Sequence, residues 1–442
     1  MKTAILGAGV SGLTLARRLR EAGLDVVVFE AAPKTGGLCR SEKVDGYTYD
    51  VAGGHILYSK DKRVLDWMIA QVDGGCEQRD RLTKIRLDGR DVHYPFENGI
   101  GDLPKEQTFE CLMGYLDAAW KRKTGAKAPS NFRDWVLFRF GEGISRIFMQ
   151  PYNEKIWKHP LEQLCTEWVE GRVPDAPVED VVRAAIGIRT QGYVHQAIFF
   201  YPRHGGFQAI ADGIGRPVLD CVRLRTPVVE LRRAGTQWNV NGERFDRVVS
   251  TVPLPELARI APEMGAAGRD AAANLRYTSL TSVAIGLKHA HLPPYSWVYL
   301  PQPEQGPANR ITFLTNYSKH VAPQGHGLIL AESTFAGEPR KDAAFVKEVV
   351  DGLEHAGILK ASDVDMTHAT SVRYAYVVFD LDYRAKLDAA LAAASALGVE
   401  TLGRFGRFEY VNSDQCVSRA FELADRLIAE SRAGAPAPAR AR

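Results

Sequence analysis

The sequence predicts an α/β protein: a Rossmann-like dinucleotide-binding domain, a helical insert, and a mixed or antiparallel sheet on the substrate side. Three observations predict it. A strand, a glycine turn, a helix and a second strand follow one another within the first 30 residues. From Glu106 to about Ala185 the pattern is helical and rich in aromatics. Four short apolar segments, Thr281–Leu287, Ser296–Leu300, Arg310–Thr315 and Gly327–Ser333, read as strands of one sheet.

In chain order, Met1–Leu6 reads as a short buried strand and Gly7–Gly12 as a glycine turn. Leu13–Ala22 has helical spacing and stops at Gly23, and Asp25–Glu30 is a second buried strand. Arg81–Val92 alternates like a strand pair around Asp88-Gly89. Pro202–Gly206 breaks the helical stretch. Val228–Leu231, Gln237–Val240 and Arg247–Val252 are expected strands. Phe345–Ala356 and Ala385–Leu397 are expected helices, and Val417–Ser431 a closing amphipathic one. The dinucleotide domain is placed at 1–80, continued by 203–275 and 398–432. The helical domain is placed at 98–200, the substrate-side sheet at 81–97 and 276–397, and a disordered Ala/Pro/Arg tail at 433–442.

A chain of 442 residues is too long for one ordinary core. Lys and Arg number 56 against 53 Asp and Glu, a balance that argues against nucleic-acid or membrane-surface binding. The six cysteines are scattered, without a C-x-x-C pair, as expected of reduced thiols in the cytoplasm. The apolar run Ala4–Leu6 is too short for a leader peptide, and no stretch approaches the roughly 20 apolar residues of a membrane span. No zinc spacing, Ser-His-Asp set or Walker loop is present, so no metal is expected. Oligomeric state leaves no mark in the pattern.

The chemistry begins at Gly7, Gly9 and Gly12, which form G-x-G-x-x-G. The first glycine allows a tight turn, the second lets backbone approach a pyrophosphate, and the third lets helix and strand pack closely. The helix that follows points its positive end at the phosphates. Glu30 ends the second strand, where a carboxylate accepts from ribose hydroxyls. Strand, turn, helix, strand and acid in this order predict dinucleotide binding.

The next segments carry a resemblance. Ala31–Arg40 adds Gly36-Gly37, Leu38 and Arg40 to the acid; Val248–Pro253 and Gly403–Phe408 come later. Together they resemble the amine-oxidase and protoporphyrinogen-oxidase superfamily of FAD proteins. That resemblance implies FAD, contacted also by Gly53, Gly54, His55, Val229, Arg404, Tyr410, Asp414 and Gln415. Tyr94–Asn98, Phe148–Trp157, Trp168–Val173, Tyr201–Gly206, Ser296–Pro301 and Arg310–Ser318 narrow it further. In order and spacing, from Lys2 to about Leu427, the chain resembles UDP-galactopyranose mutases of the eukaryotic type.

That likeness implies an isomerase that interconverts pyranose and furanose nucleotide sugars. In this family a reduced flavin acts as covalent catalyst through an N5–sugar adduct, with no net redox change and with NADPH or NADH as possible reductant. Arg172 and Arg310 match the arginines on the substrate diphosphate, and Tyr299, Tyr376 and Tyr410 match its hydroxyl donors. Tyr94, Phe96, Tyr152, Asn153 and Trp157 match the nucleotide wall, Gln196 falls near the sugar, and His55 beside the flavin. An aromatic run on helices is equally the pattern of a core. Four positions depart from the family. Glu97 stands where a glutamine meets uracil, and an ionised carboxylate cannot donate as an amide does. Gln196 and Asp414 replace asparagines, and Val377 replaces a proline. The other reading is a flavin oxidase or desaturase of the protoporphyrinogen or amine type, which would need an apolar pocket.

Overall fold

The computed structural model describes residues 1–169, 173, 176–190 and 197–433. Lys2–Leu6 is the middle strand of a five-stranded parallel sheet, flanked by Asp25–Phe29 and Arg247–Ser250, with Val222–Arg223 and Glu400–Thr401 outermost. Its three central strands carry the apolar runs Ala4–Leu6, Val26–Phe29 and Val248–Val249 because both faces are covered. Ile5, Val26 and Val28 pack with Leu13 and Val417 of the helices Val10–Glu21 and Ser413–Ala433. Ala4, Leu6, Val27 and Phe29 pack on the other face with Trp238, Leu257 and Leu387.

A small antiparallel sheet joins Leu231–Ala234, Gln237–Val240 and Glu243–Phe245. It corrects the expected strand at Val228–Leu231, which begins only at Leu231. The reason is local: the backbone N–H groups of Val229 and Glu230 donate to the Asn241 side chain, so no strand partner takes them.

The four expected substrate-side strands do share one sheet. It has seven strands, in the order Val364–Val377, Tyr277–Leu287, Gly327–Phe335, Arg310–Phe313, Trp297–Tyr299, Thr83–Leu87 and Arg90–His93. Only the pairing of Trp297–Tyr299 with Thr83–Leu87 is parallel. Val364–Val377, the longest strand, was not foreseen, because its Thr-His-Ala-Thr-Ser middle lacks apolar alternation. The hairpin Ser41–Val44 and Tyr47–Asp50, and the pair Cys76–Asp80 with Ile198–Pro202, were not foreseen either.

The helical stretch resolves into Lys105–Lys123, Phe132–Ile144, Gln150–Trp157 and Val178–Ala185, around a core that reaches Ile85 and Val92 of the large sheet. Lys155 ties the two together: its buried ammonium donates to the carbonyls of Leu300 and Gln302, both at 2.9 Å. Burial pushes its pKa down to about 7. Ala433, placed in a disordered tail by the sequence, ends the last helix; the rest of that tail lies outside the described residues. All six thiols are free. Among the described residues, no helix is long and apolar enough to cross a membrane, and no His/Cys/Asp/Glu group could hold a metal.

Candidate active site

A cleft of about 920 Å³ runs from the glycine turn to the face of the large sheet. At its outer end the three glycines have separate reasons. Gly7 has φ +102°, and a Cβ on Gly12 would lie 2.1 Å from the Gly7 carbonyl oxygen. Gly9 is different. Its φ is −73°, and a Cβ there would meet nothing nearer than Gly37 Cα at 3.8 Å. The protein itself would accept a methyl at Gly9, so the space before it is reserved for something else. The helix beginning at Val10 has no side-chain cap and no acid in its first turn, so its first N–H groups face the cleft. An uncapped helix end beside an open glycine fits a pyrophosphate, and hence a dinucleotide such as FAD. Glu30 also lines the cleft, and its carboxylate accepts from Ala8 N at 2.7 Å and Ala32 N at 2.8 Å. Gly37, Leu38 and Arg40 continue the wall, with Arg40 Nε donating to the Gly37 carbonyl. Gly403, Arg404 and Tyr410 also line the cleft, and Gly403 lies against Ser11 of the first helix.

At the inner end, Gly53-Gly54-His55 is fastened to the large sheet. Gly53 N donates to Ser282 Oγ at 3.0 Å, and Gly54 N to Glu332 Oε1 at 3.1 Å. A Cβ on Gly53 would lie 2.5 Å from Glu332 Oε2, and one on Gly54 2.5 Å from Thr312 Oγ1. The sheet's own side chains therefore demand both glycines, a reason the sequence did not offer. His55 N donates to Asp50 Oδ2 at 3.2 Å, and the imidazole stacks on Phe207 at 5.0 Å. Burial, the largest influence, holds the His55 pKa below its ordinary value; Asp50 opposes this, and Arg310 and Arg404 add to it. The ring is neutral at neutral pH.

Arg310 sits opposite Glu332 in the register of neighbouring strands. Its Nε and Nη2 donate to the two carboxylate oxygens at 2.8 and 2.7 Å. Glu332 has no exposed surface, while the Arg310 side chain keeps 22% of its surface open to the cleft. Burial raises the Glu332 carboxyl above its ordinary pKa, against the pull of Arg310 and the Gly54 N–H. Tyr94, Tyr299 and Tyr376 line the cleft around this pair. The rings of Tyr94 and Tyr299 lie 5.3 Å apart, and those of Tyr376 and Tyr410 6.0 Å apart. Burial raises the pKa of Tyr94 and Tyr376, which keeps their hydroxyls protonated and able to donate. Arg404 lies over the Tyr410 ring at 4.4 Å and donates to the carbonyls of Val411 and Ala375.

Several expected site residues lie behind this surface. Phe96, Phe148 and Tyr152 form a stack at 5.0 and 5.4 Å, which ends on Tyr299. Trp157 Nε1 donates to Asn153 Oδ1 at 3.0 Å, and Asn153 Nδ2 to the Met149 carbonyl at 2.7 Å. With buried Glu97, these residues pack in the helical core and do not line the cleft. Val229 is exposed and off the cleft; Pro227 and Val228 line it instead. Asp414 and Gln415 start the last helix, but Asn412, Ser413 and Cys416 provide its lining. Arg172 and Gln196 lie outside the described residues. Sequence reasoning missed Glu332 and Arg81. A lone acid in the apolar run Gly327–Phe335 was the available signal for the first. Arg81 lines the cleft with its guanidinium 4.8 Å from the rings of both Tyr94 and Trp297, and nothing in its neighbourhood marked it.

The family model described as flavin containing amine oxidoreductase matches residues 10–385. This chain belongs to that family. FAD is therefore its cofactor, and the open space at Gly9 agrees. Among solved structures, a reduced UDP-galactopyranose mutase superposes with a TM-score of 0.89 at 29% identity, covering 97% of this chain and 96% of that one. A curated UDP-galactopyranose mutase from Mycoplasma pneumoniae is 24% identical over 50% of this chain. The chain spans about half the length of that relative, 54%. A dTDP-fucopyranose mutase from Escherichia coli is 24% identical over 35% of this chain and 41% of its own length.

Proposed function

We propose that this family member is a nucleotide-sugar mutase that interconverts pyranose and furanose forms, with UDP-galactopyranose and UDP-galactofuranose as the substrate pair. The observation that supports it is the Arg310–Glu332 pair at the inner end of a dinucleotide cleft, ringed by tyrosine hydroxyls. A guanidinium fork and protonated phenols suit a diphosphate. An oxidase of an apolar amine or tetrapyrrole would have no use for them.

The reduced flavin supplies nucleophilic catalysis without net redox change. The chain's residues do the rest. Gly7, Gly9, Gly12, Glu30, Gly37, Leu38, Arg40, Gly403 and Arg404 hold the cofactor. Arg310 keeps two N–H groups on Glu332 and turns its remaining donors to the departing diphosphate, where charge gathers in the transition state. Tyr299, Tyr376 and Tyr410 donate to the same oxygens, and Arg172 joins them on the evidence of its matching position in the sequence. Neutral His55 offers a hydrogen bond without adding a second cation beside Arg310. Tyr94 and Tyr299, with the stacked column of Phe96, Phe148 and Tyr152 behind Tyr299, back the nucleobase, and Gln196 is assigned to the sugar by its matching position in the sequence. The enzyme works in the cytoplasm, where its free thiols stay reduced and a nicotinamide dinucleotide reduces its flavin.

The test is anaerobic reduction of the purified protein, addition of UDP-galactopyranose or its furanose isomer, and chromatography of the products. Interconversion that disappears with oxidised flavin supports the proposal. No interconversion with intact reduced flavin sinks the UDP-galactose assignment, and a dTDP-sugar is then tried. Bleaching of oxidised flavin by substrate alone would favour the oxidase.

A further inference from the structure

The helix Lys105–Lys123 carries an apolar stripe that none of the described residues covers. Phe109 is 66% exposed, Met113 48% and Trp120 65%, with Leu116 half-buried between them. Among the described residues, Phe109 and Trp120 are the only exposed members of the Phe, Tyr and Trp set. The stripe cannot turn inward, because the opposite face of the helix is committed. Cys111, Tyr115 and Ala118 are buried there, and Tyr115 donates its hydroxyl to the Ala176 carbonyl. A Cβ on Gly141 of the next helix would lie 2.1 Å from the Gly114 carbonyl oxygen, so the two backbones are already in contact.

The spacing of the stripe identifies its occupant. Residues 109, 113, 116 and 120 step by four, three and four, one face of a helix. That interval reads the same in both directions about the Gly114–Tyr115 peptide. A second copy of the helix, laid antiparallel, therefore sets Phe109 against the partner's Trp120 and Met113 against the partner's Leu116, and does so twice by symmetry. The flanking charges obey the same centre. Glu106 and Lys123 lie one turn outside Phe109 and Trp120, three residues away in each case. The antiparallel pair places Glu106 beside the partner's Lys123, whereas a parallel pair would place like charges together. The inner acids Glu110 and Asp117 already have partners within the chain, in Arg146 and Lys121.

We infer that this helix is an isologous dimer interface, pairing two copies of the chain antiparallel about Gly114–Tyr115. The helix is roughly 28 Å long at about 1.5 Å per residue. Each copy contributes two aromatic rings, of ~150–250 Å² each when buried, plus a methionine and part of a leucine. That is short of the ~800 Å² per partner of a standard interface. The dimer is accordingly reversible, and its population rises with protein concentration. The two aromatic contacts are its anchors.

Sedimentation velocity on the full, FAD-loaded chain over a wide concentration range tests this. Wild-type protein is expected to move from monomer to dimer as concentration rises. Trp120→Glu should remain monomeric with unchanged flavin content and unchanged far-UV circular dichroism. Glu106→Lys should shift dimerisation to higher concentration, and adding Lys123→Glu to it should restore the wild-type curve; this pair keeps the test open if Trp120→Glu fails to fold. A wild-type monomer throughout, or one that binds lipid vesicles through the stripe instead, overturns the inference. So does a dimer that survives Trp120→Glu. Failure of the charge exchange to restore pairing overturns the antiparallel arrangement.

Discussion

Replacing Arg310 by alanine removes both hydrogen bonds to Glu332, at 2.8 and 2.7 Å, from a carboxylate with no exposed surface. Breaking a buried ion pair from one side costs about 3–5 kcal/mol, since the remaining charge is left uncompensated. Glu332 retains the Gly54 N–H at 3.1 Å, which places the expected loss at the lower end of that range. The loss should also depend on pH. Burial already raises the Glu332 carboxyl pKa, and without Arg310 it rises further above the unfolded value of about 4.3. A raised carboxyl is neutral and cheap to bury below that value, and stability is lost as pH climbs through the folded pKa. Arg310→Ala should therefore be nearly harmless to melting in acid and clearly destabilising at neutral pH. Adding Glu332→Gln removes the stranded charge, so the double variant should melt above Arg310→Ala at neutral pH, with a coupling of ~1–3 kcal/mol. Turnover should not recover with it. A missing cation on the departing diphosphate is worth about 10²–10³-fold in rate, by analogy with a lost oxyanion donor. Thermal melts followed by circular dichroism at two pH values, alongside steady-state turnover of the reduced enzyme, read both quantities. Strict additivity of the two substitutions would refute the pairing, and full turnover by Arg310→Ala would refute its role in the reaction.

Further outcomes are specific. Gly9→Ala should leave the melting temperature of the flavin-free protein within the ordinary range of a surface change, while the purified protein loses its yellow colour; retention of full flavin absorbance would remove the case for the pyrophosphate site. His55 has a depressed pKa, so stability should fall as pH drops below about 6.5, and His55→Gln should make melting less sensitive to acid; an unchanged pH profile would show that the ring titrates normally. Lys155, held at about 7, should make wild-type stability rise from about pH 7 towards pH 10 by at most ~1.4 kcal/mol per unit, and Lys155→Met should flatten that rise; a parallel profile in the variant would count against a depressed lysine.

Legibility in the sequence followed the physics of each element. The two N-terminal parallel strands were readable because both faces are buried, which forces continuous apolar runs at Ala4–Leu6 and Val26–Phe29. Arg310 and the tyrosines were found through matching motifs, and the fold gathers Arg310, Tyr94, Tyr299, Tyr376 and Tyr410 around one cleft. Glu332 escaped because its partner is 22 residues away and the two meet only through strand register. Val364–Val377 escaped because its polar middle takes its place by pairing with Tyr277–Leu287 rather than by alternation. The aromatic set Phe96, Tyr152 and Trp157 was legible as aromatic but not as buried, since core and binding wall use the same residues.

The five-stranded sheet has a temporal consequence. Its strands are drawn from residues 2–6, 25–29, 222–223, 247–250 and 400–401, and the cleft is lined as late as Cys416. During synthesis the glycine turn is made long before Gly403 and Cys416, which complete the cleft beside it. The nascent chain therefore holds a half-built cradle until those residues are made, with long-range pairing deferred to that point. FAD can therefore meet its complete cradle only once Glu400–Thr401 has paired with the rest of the sheet.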